Sequence, residues 1–289
     1  MPPSRSKSRE PWGLVLMGGG ARGRAHIGVL QALDRAGLTP GVIAGTSMGA
    51  LVGAFYAAGM APKEIAELTL RLPYKRLIDR RLFSRRPQPM QRYFKQLMLG
   101  MAADRLLRGL GADREDRAEA VLGRIVGGLK IEKLGIPFAC NAVDVLSGRS
   151  IVFTRGPLRK ALRATMSYPL VFDPVRRGGH LLVDGGLLNN VPTDLARGLG
   201  AVRIVAPDVH RPLRRVSVSS IRNVPQLVSR ITDIVGTHAV ESQLERADLV
   251  FRINVDAATF DFSQARRIIE IGRRATEKNL PVIRELVRD

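Results

Sequence analysis

The stretch GLVLMGGGARGRAHIGVL, residues 13–30, decides the fold class of this chain. It begins with a short apolar run at residues 13–17, of the kind that forms a buried strand, and a glycine-rich turn follows directly. The apolar residues of 23–36 then repeat at helical spacing, which predicts a helix. A strand, a glycine turn and a helix in this order predict the first unit of an α/β fold.

The same alternation of short apolar runs and helical segments continues along the chain. Further strands are predicted at residues 41–44, 136–143, 150–153, 180–183, 202–206 and 249–252. Further helices are predicted at residues 47–59, 158–166, 194–199, 220–245 and 263–287. We therefore expect an α/β fold with a mostly parallel central sheet and helices on both faces.

The domain organisation is expected to be simple. Residues 1–12 are rich in Pro, Ser, Arg and Lys and predict a disordered basic arm. Residues 13–289 are expected to form a single domain. Residues 71–130 interrupt the alternation, and they predict a helical cap inserted into that domain.

The charge of the chain is strongly positive, with 46 Lys and Arg against 26 Asp and Glu and a net charge of +20. Such a charge attracts polyanions, including anionic lipid headgroups, although arginine richness also follows from the base composition of a gene. No RRM, KH, homeodomain or zinc-finger signature is present, so no specific nucleic-acid partner is expected.

The cellular location follows from two further features. The one cysteine, Cys140, lies in an apolar run, so it is expected in the core and suits a reducing cytoplasm. No apolar run approaches the ~20 residues of a membrane span. We expect a cytoplasmic protein, and its charge leaves open a peripheral position at the inner face of the membrane.

A glycine-rich motif follows the first strand. It satisfies the dinucleotide fingerprint G-x-G-x-x-G, but the second predicted strand ends without the acidic residue that would hold a ribose. Consecutive glycines at a helix N-terminus leave backbone N–H groups aimed at an anion. The motif is therefore a candidate oxyanion hole, made of Gly18, Gly19, Gly20, Ala21, Arg22 and Gly23.

A second glycine turn follows the second strand and carries a serine. Its flanking glycines permit the sharp turn of a nucleophile elbow, with Ser47 exposed at the helix N-terminus. The alternative is that Ser47 only caps that helix. The other residues of this candidate elbow are Gly45, Thr46, Met48 and Gly49.

A third turn, Asp184-Gly185-Gly186, follows a predicted strand at residues 180–183. By itself it is typical of an ordinary Asp-Gly turn. The carboxyl ends of neighbouring parallel strands lie side by side, so we expect all three turns to converge on one crevice. A hydroxyl, N–H donors and a carboxylate would then meet there.

Taken together, the three motifs resemble those of the patatin-like phospholipases, particularly short bacterial members related to the neuropathy-target-esterase catalytic domain. Residues 25–30, 167–175 and 184–192 extend the resemblance over nearly the whole chain beyond residue 12. The resemblance implies a lipid substrate and acyl-ester hydrolysis by a Ser–Asp dyad, here Ser47 and Asp184, through an acyl-enzyme. It implies no cofactor, and no metal-ligand cluster is found in the sequence.

A dyad needs an unusual aspartate, because a free Asp with a pKa near 3.9 is a poor base for a hydroxyl. We therefore expect Asp184 to be buried, to have a raised pKa and to bond Ser47 directly. For Arg22, bracing of the glycine loop is favoured over binding of a phosphate headgroup.

The four histidines offer an alternative base. His26 is expected to be structural, and His180 is expected at the opposite edge of the sheet. His238 is expected to pack against the core, because it falls on a helical stripe with Val224, Leu227, Ile231 and Ile234. His210 follows a strand and is the candidate for a Ser-His-Asp triad.

A different class of function also remains open, a nucleotide- or phosphate-binding regulator that uses the glycine loop. Hydrolysis of a short ester would separate it from a hydrolase.

The predicted cap also carries a candidate membrane contact. Between residues 71 and 95, nine cations alternate with large apolar and aromatic residues, which suits the headgroup region of an anionic membrane. The alternative is a solvated linker whose apolar residues pack on the domain. The arginines chosen as membrane contacts are Arg80, Arg81, Arg85 and Arg86.

Overall fold

The computed structural model describes residues 11–71, 115–169, 172–257, 259 and 261–288. The candidate membrane arginines and most of the predicted cap and basic arm lie outside these residues. Trp12, at the end of the predicted arm, is buried and begins the first strand.

The predicted strands and helices are present, with boundaries that differ by one or two residues except that the helix predicted at 220–245 begins at Val224. The sequence did not predict the helix Pro62–Arg71 or the strand Val175–Arg177. The strands are β1 Trp12–Leu16, β2 Val42–Gly45, β3 Phe138–Asp144, β4 Arg149–Phe153, β5 Val175–Arg177, β6 His180–Asp184, β7 Arg203–Asp208 and β8 Leu249–Arg252. The helices are α1 Ala25–Arg35, α2 Met48–Ala57, α3 Pro62–Arg71, α4 Glu115–Val126, α5 Leu158–Thr165, α6 Thr193–Gly198, α7 Val224–Leu244 and α8 Ala265–Leu286. The glycine loop forms a short 3₁₀ turn, Gly20–Arg24, before α1 begins.

The sheet has the order β5-β6-β3-β2-β1-β7-β8, and β4 pairs with β3. The five strands β3, β2, β1, β7 and β8 are parallel, which confirms the predicted α/β fold with a mostly parallel sheet. Strands β4, β5 and β6 are antiparallel to their neighbours. Helix α2 follows β2 and is buried along most of its length, because it packs between the sheet and other helices.

The direction of β6 corrects one step of the sequence interpretation. In β3, Cys140 pairs with Gly45 of β2, whereas Ala142 pairs with Asp184 of β6. Strand β4 pairs with both of these β3 residues from the other side, so β2 and β6 lie on the same side of β3. The two strands run toward each other and their carboxyl ends meet, which brings Asp184 to the site from the opposite direction.

The antiparallel direction of β6 also explains why the prediction for His180 was wrong. The start of β6 lies beside the carboxyl end of β3, not at the opposite edge of the sheet. The His180 Nδ1 is 3.0 Å from Oδ2 of Asp144, the last residue of β3.

The predicted packing of the helical stripe on α7 was wrong as well. His238 is exposed and faces Glu241, and the apolar side chains of the stripe that the structure describes, Leu227, Ile231 and Ile234, are exposed too. Among the side chains of α7 that the structure describes, the buried ones are Thr237, Val240 and Leu244, all in the second half of the helix. Helical periodicity shows that a face is apolar, but not whether the core or another surface covers it.

Helices α1 and α8 cross at close range through two glycines. A Cβ on Gly28 would lie 2.0 Å from the Ile269 carbonyl oxygen, and a Cβ on Gly272 would lie 2.1 Å from that of Ala25. Both contacts are with backbone atoms, so a side chain at either position would push the helices apart.

We expect Gly28→Ala to lower the free energy of unfolding by about 3 kcal/mol, because the added methyl group overlaps the backbone of α8. Gly198→Ala is the matched control, since a Cβ there meets no atom within 4 Å. This control should be neutral or slightly stabilising. Thermal unfolding of the two variants measures the difference, and equal melting temperatures would contradict the close crossing.

Candidate active site

Ser47 has the backbone geometry of a sharp strand-to-helix turn. With φ 53° and ψ −122° it lies between β2 and α2, and it is the only non-glycine residue with a positive φ in the described part of the chain. The turn is tight, since a Cβ on Gly49 would lie 2.0 Å from the Leu16 carbonyl oxygen. Strained backbone of this kind is held in place by its surroundings and is concentrated at functional sites.

The Ser47 hydroxyl donates a hydrogen bond of 2.6 Å to Oδ2 of Asp184. The carboxylate is buried, and its Oδ1 accepts the N–H of Gly186 at 2.8 Å. Burial raises the pKa of Asp184 to about 6, although the hydrogen bonds from Ser47 and Gly186 oppose the shift. The expected burial, direct contact and raised pKa are all present in the structure.

A buried asparagine, Asn141, joins the serine turn to the Asp-Gly-Gly turn. Its side-chain oxygen accepts the Thr46 hydroxyl at 2.7 Å, and its Nδ2 donates to the carbonyl oxygens of Gly185 at 3.2 Å and Asn189 at 2.9 Å. The sequence analysis missed this residue. The available signal was a polar side chain inside an otherwise apolar strand, which is stable only if its hydrogen bonds are satisfied.

Two further contacts hold the dyad from behind. The N–H of Ser47 donates to the Thr165 hydroxyl at 3.0 Å, and the N–H of Asp184 donates to the Ser167 carbonyl oxygen at 3.0 Å. Buried Arg163 donates to the Ser167 hydroxyl at 2.6 Å. The stretch 167–175, which the sequence singled out only by resemblance, therefore begins with a residue that fixes the end of β6.

The glycine loop lies against the serine, since a Cβ on Gly18 would be 3.3 Å from the Ser47 Cβ. The N–H of Gly18 is taken by the backbone and side-chain oxygens of Asn190, and that of Ala21 by the Thr259 carbonyl oxygen. Within the described ranges, the N–H groups of Gly19 and Gly20 have no acceptor. Two donors thus remain for a ligand beside the serine.

Gly20 could not carry a side chain. It has φ +56°, and a Cβ would lie 2.2 Å from the Thr259 carbonyl oxygen. The positive φ favours glycine, and the Thr259 carbonyl oxygen leaves no space for a side chain. The contact with Thr259 is therefore enough to explain why residue 20 is a glycine.

Arg22 braces the loop. Its Nε donates to the Val209 carbonyl oxygen at 3.2 Å, and its Nη1 donates to the Ala257 carbonyl oxygen at 3.2 Å and the Thr259 hydroxyl at 3.3 Å. Burial lowers the pKa of this guanidinium. These contacts tie the loop to the segments that follow β7 and β8, as the bracing interpretation predicts.

The histidines lie elsewhere. His26 is buried, with Nε2 2.9 Å from the Met17 carbonyl oxygen, and burial lowers its pKa to about 4. The His210 Nδ1 is 3.3 Å from Oδ1 of Asp208, and no hydrogen bond links His210 to Ser47 or Asp184 among the residues described. The Cys140 thiol is buried in β3, which raises its pKa, and it takes the expected place in the core.

The residues that the structure describes contain neither a metal-ligand cluster nor a helix that could span a membrane. No group of three or more His, Cys, Asp or Glu side chains there could hold a metal ion. None of the helices in these ranges combines the length and the apolar character needed to cross a membrane.

The fold is an α/β fold with a mostly parallel sheet, and its candidate site joins Ser47, on a strained turn, to a buried aspartate. The sequence model of the patatin-like phospholipase family matches residues 14–197, and the chain belongs to this family.

Two relatives and one solved structure illustrate the similarity. An uncharacterized NTE family protein of Mycobacterium tuberculosis is 37% identical over 202 residues, which are 70% of this chain and 50% of that protein. The neuropathy target esterase of Drosophila melanogaster is 34% identical over 202 residues, 68% of this chain and 13% of that protein. The crystal structure of VipD from Legionella pneumophila has a TM-score of 0.54 at 19% identity, covers 96% of this chain and 69% of that chain, and supports the fold alone. The chain thus spans at most about half the length of these two relatives.

Proposed function

We propose that this protein is a lipid acyl hydrolase that cleaves carboxylic esters of phospholipids, lysophospholipids or related lipids. The observation that carries this proposal is the 2.6 Å hydrogen bond from Ser47, on a strained turn, to the buried carboxylate of Asp184. Membership of the patatin-like phospholipase family and the similarity to a neuropathy target esterase support a lipid ester as the substrate.

The proposed reaction has two steps. Asp184 takes the proton of the Ser47 hydroxyl as its oxygen attacks the ester carbonyl, and the N–H groups of Gly19 and Gly20 stabilise the oxyanion. The tetrahedral intermediate expels the alcohol, which receives the proton from Asp184. Asp184 then deprotonates a water molecule that attacks the acyl-enzyme, the fatty acid leaves, and the proton returns to Ser47.

The alternative of a phosphate-binding regulator has less support. Ser47 lies beside Gly18 and is bonded to the Asp184 carboxylate, so a negative charge lies close to the glycine loop. Above pH 6 this charge would repel a phosphate, whereas a neutral ester carbonyl meets no such repulsion.

We expect kcat/KM for a neutral soluble ester to rise about tenfold per pH unit below about pH 6 and to level off above it, because Asp184 acts as base only when ionised. Steady-state hydrolysis of a short p-nitrophenyl ester measures this profile. His210→Ala should leave both the plateau and the midpoint nearly unchanged. A rate that falls as the pH rises through 6 would contradict Asp184 as the base.

We further propose that the protein acts at an anionic membrane surface and is otherwise cytoplasmic. The net charge of +20 and the lipid substrate support this, since an enzyme with such a charge is drawn to the surface that holds its substrate.

A further inference from the structure

The first half of α7 has an apolar face that the described residues do not cover. Its members recur at helical spacing, so they lie on one side of the helix. They are Leu227, Ile231, Ile234 and Val235. Val235 is 63% exposed and Ile231 is 51% exposed. The buried side chains among the described residues of α7, Thr237, Val240 and Leu244, lie on the other side of the helix from these two. A contiguous exposed aliphatic surface of this kind marks an interaction site.

Basic residues accompany this face. The segment from residue 211 to 235 has only one acidic residue, Asp233. The part of this segment that precedes α7 also exposes two valines, Val216 and Val218. The five arginines of the whole segment are Arg211, Arg214, Arg215, Arg222 and Arg230. Arg214 and Arg215 are exposed, and they form no ion pair with any residue in the described ranges.

Helix α7 is attached directly to the active site. Near its end, the Gln243 side-chain oxygen accepts the N–H groups of Asn190 and Val191, both at 2.9 Å, and Asn190 in turn holds Gly18. From Gln243, the helix reaches back about 12 Å to Val235 and about 24 Å to Leu227. Exposed Leu187 and Leu188, which follow the Asp-Gly-Gly turn, add apolar surface at the site itself.

We propose that the apolar face of α7 and the arginines of residues 211–230, together termed the docking face, bind the surface of an anionic membrane. The aliphatic side chains enter the interface between headgroups and acyl chains while the arginines contact the phosphates. A second copy of the chain would present the same positive surface and be repelled, whereas anionic lipid complements it. Such a face would serve the lipid hydrolysis proposed above, on which this assignment rests, by presenting the active site to its substrate.

The test compares vesicle binding by matched variants. Ile231→Asp/Val235→Asp places charge on the docking face, and Val282→Asp places it on an exposed valine near the end of α8. Val282 is a suitable control because it lies far from the glycine loop. Helix α8 begins beside that loop and then passes Arg35, which lies at the far end of α1, and Val282 follows this point of the helix. The probes are vesicles of phosphatidylcholine with and without phosphatidylglycerol, sedimented at low and high salt.

We expect the unaltered protein to bind vesicles that contain phosphatidylglycerol, and to bind less at high salt. The docking-face double variant should lose about tenfold or more in affinity, and Val282→Asp should lose none. Arg214→Gln/Arg215→Gln should bind about thirtyfold more weakly, at about fivefold per arginine. Arg284→Gln/Arg288→Gln, at the same end of α8 as Val282, should bind nearly as well as the unaltered protein.

Three results would overturn the docking face. Equal losses in Arg214→Gln/Arg215→Gln and in Arg284→Gln/Arg288→Gln would mean that binding follows net charge alone. A dimer that the double variant converts to monomer, with vesicle binding unchanged, would assign the face to a second copy. A lower melting temperature in the double variant, with vesicle binding unchanged, would mean that the chain itself covers the face.

Hydrolysis of a short soluble ester separates this proposal from the enzymatic one. All four variants should retain it, because none of the altered residues lies in the catalytic site. If the unaltered protein hydrolyses no ester but the vesicle results hold, the enzymatic proposal fails and the membrane-binding face stands.

Discussion

Ser47→Ala and Asp184→Asn are each expected to lower kcat/KM for ester hydrolysis by about 10⁴ or more, and the double variant is expected to be no worse than either. Ser47 supplies the attacking oxygen and Asp184 accepts its proton across the 2.6 Å hydrogen bond, so removing either group stops the same step. Steady-state assays on a soluble p-nitrophenyl ester measure the loss, with circular dichroism to confirm that each variant is folded.

His210→Ala is the control for this expectation, because His210 pairs with Asp208 rather than with the dyad. It should retain most of the activity. If His210→Ala is as damaging as Ser47→Ala in a folded protein, a Ser-His-Asp triad replaces the dyad. If the double variant is far worse than either single one, Ser47 and Asp184 do not act as one unit.

Asp184→Asn is also expected to stabilise the protein above pH 6, by up to about 3 kcal/mol. Burial raises the pKa of Asp184 from 3.8 to about 6, so the folded state holds this proton more tightly than the unfolded state. Below pH 3.8 the carboxyl is neutral in both states and has no penalty. As the pH rises to 6 its buried charge increasingly destabilises the fold, and asparagine removes that cost while keeping the shape.

Thermal unfolding at pH 4 and pH 8 measures this effect, which corresponds to a gain of roughly 6 °C at pH 8 and little change at pH 4. Asp144→Asn is the control, since Asp144 has a similarly small exposed fraction but its pKa is lowered by hydrogen bonds from His180 and Ser147. The control should therefore lose stability at pH 8. A destabilised Asp184→Asn at pH 8 would contradict the desolvated charge.

Much of the site could be predicted from the sequence because its parts lie in short turns. The turns around Gly18, Ser47 and Asp184 each combine glycine with a chemically distinct group, and local sequence alone predicts a sharp turn there. The expected bond from Ser47 to Asp184 followed from chemistry, since an aspartate can act as base only if it is buried and adjacent.

The remaining features depend on contacts between distant parts of the chain. Strand β6 pairs with the end of β3 in the antiparallel direction, whereas a parallel strand was expected. His180, at the start of β6, therefore lies beside Asp144. Strand β5 was missed because its three residues, Val175–Arg177, are too few for a periodic pattern. Asn141 could be recognised as a polar residue in a buried strand, but its partners were fixed only by the fold.

The surface of α7 shows a second reason why sequence was insufficient. An apolar stripe predicts burial, yet it is equally consistent with a face that meets a membrane. Only the placement of Val240 and Leu244 against the core distinguishes the two, because it directs Ile231 and Val235 outward.

Covalent labelling tests the proposed mechanism most directly. The protein is treated with a serine-directed fluorophosphonate across pH 4 to 8, and the adduct is located by peptide mass mapping. The dyad predicts one adduct, on Ser47, with a labelling rate that rises through about pH 6 and falls by about 10³ or more in Asp184→Asn. No adduct, an adduct on another residue, or an unchanged rate in Asp184→Asn would contradict the Ser47–Asp184 dyad.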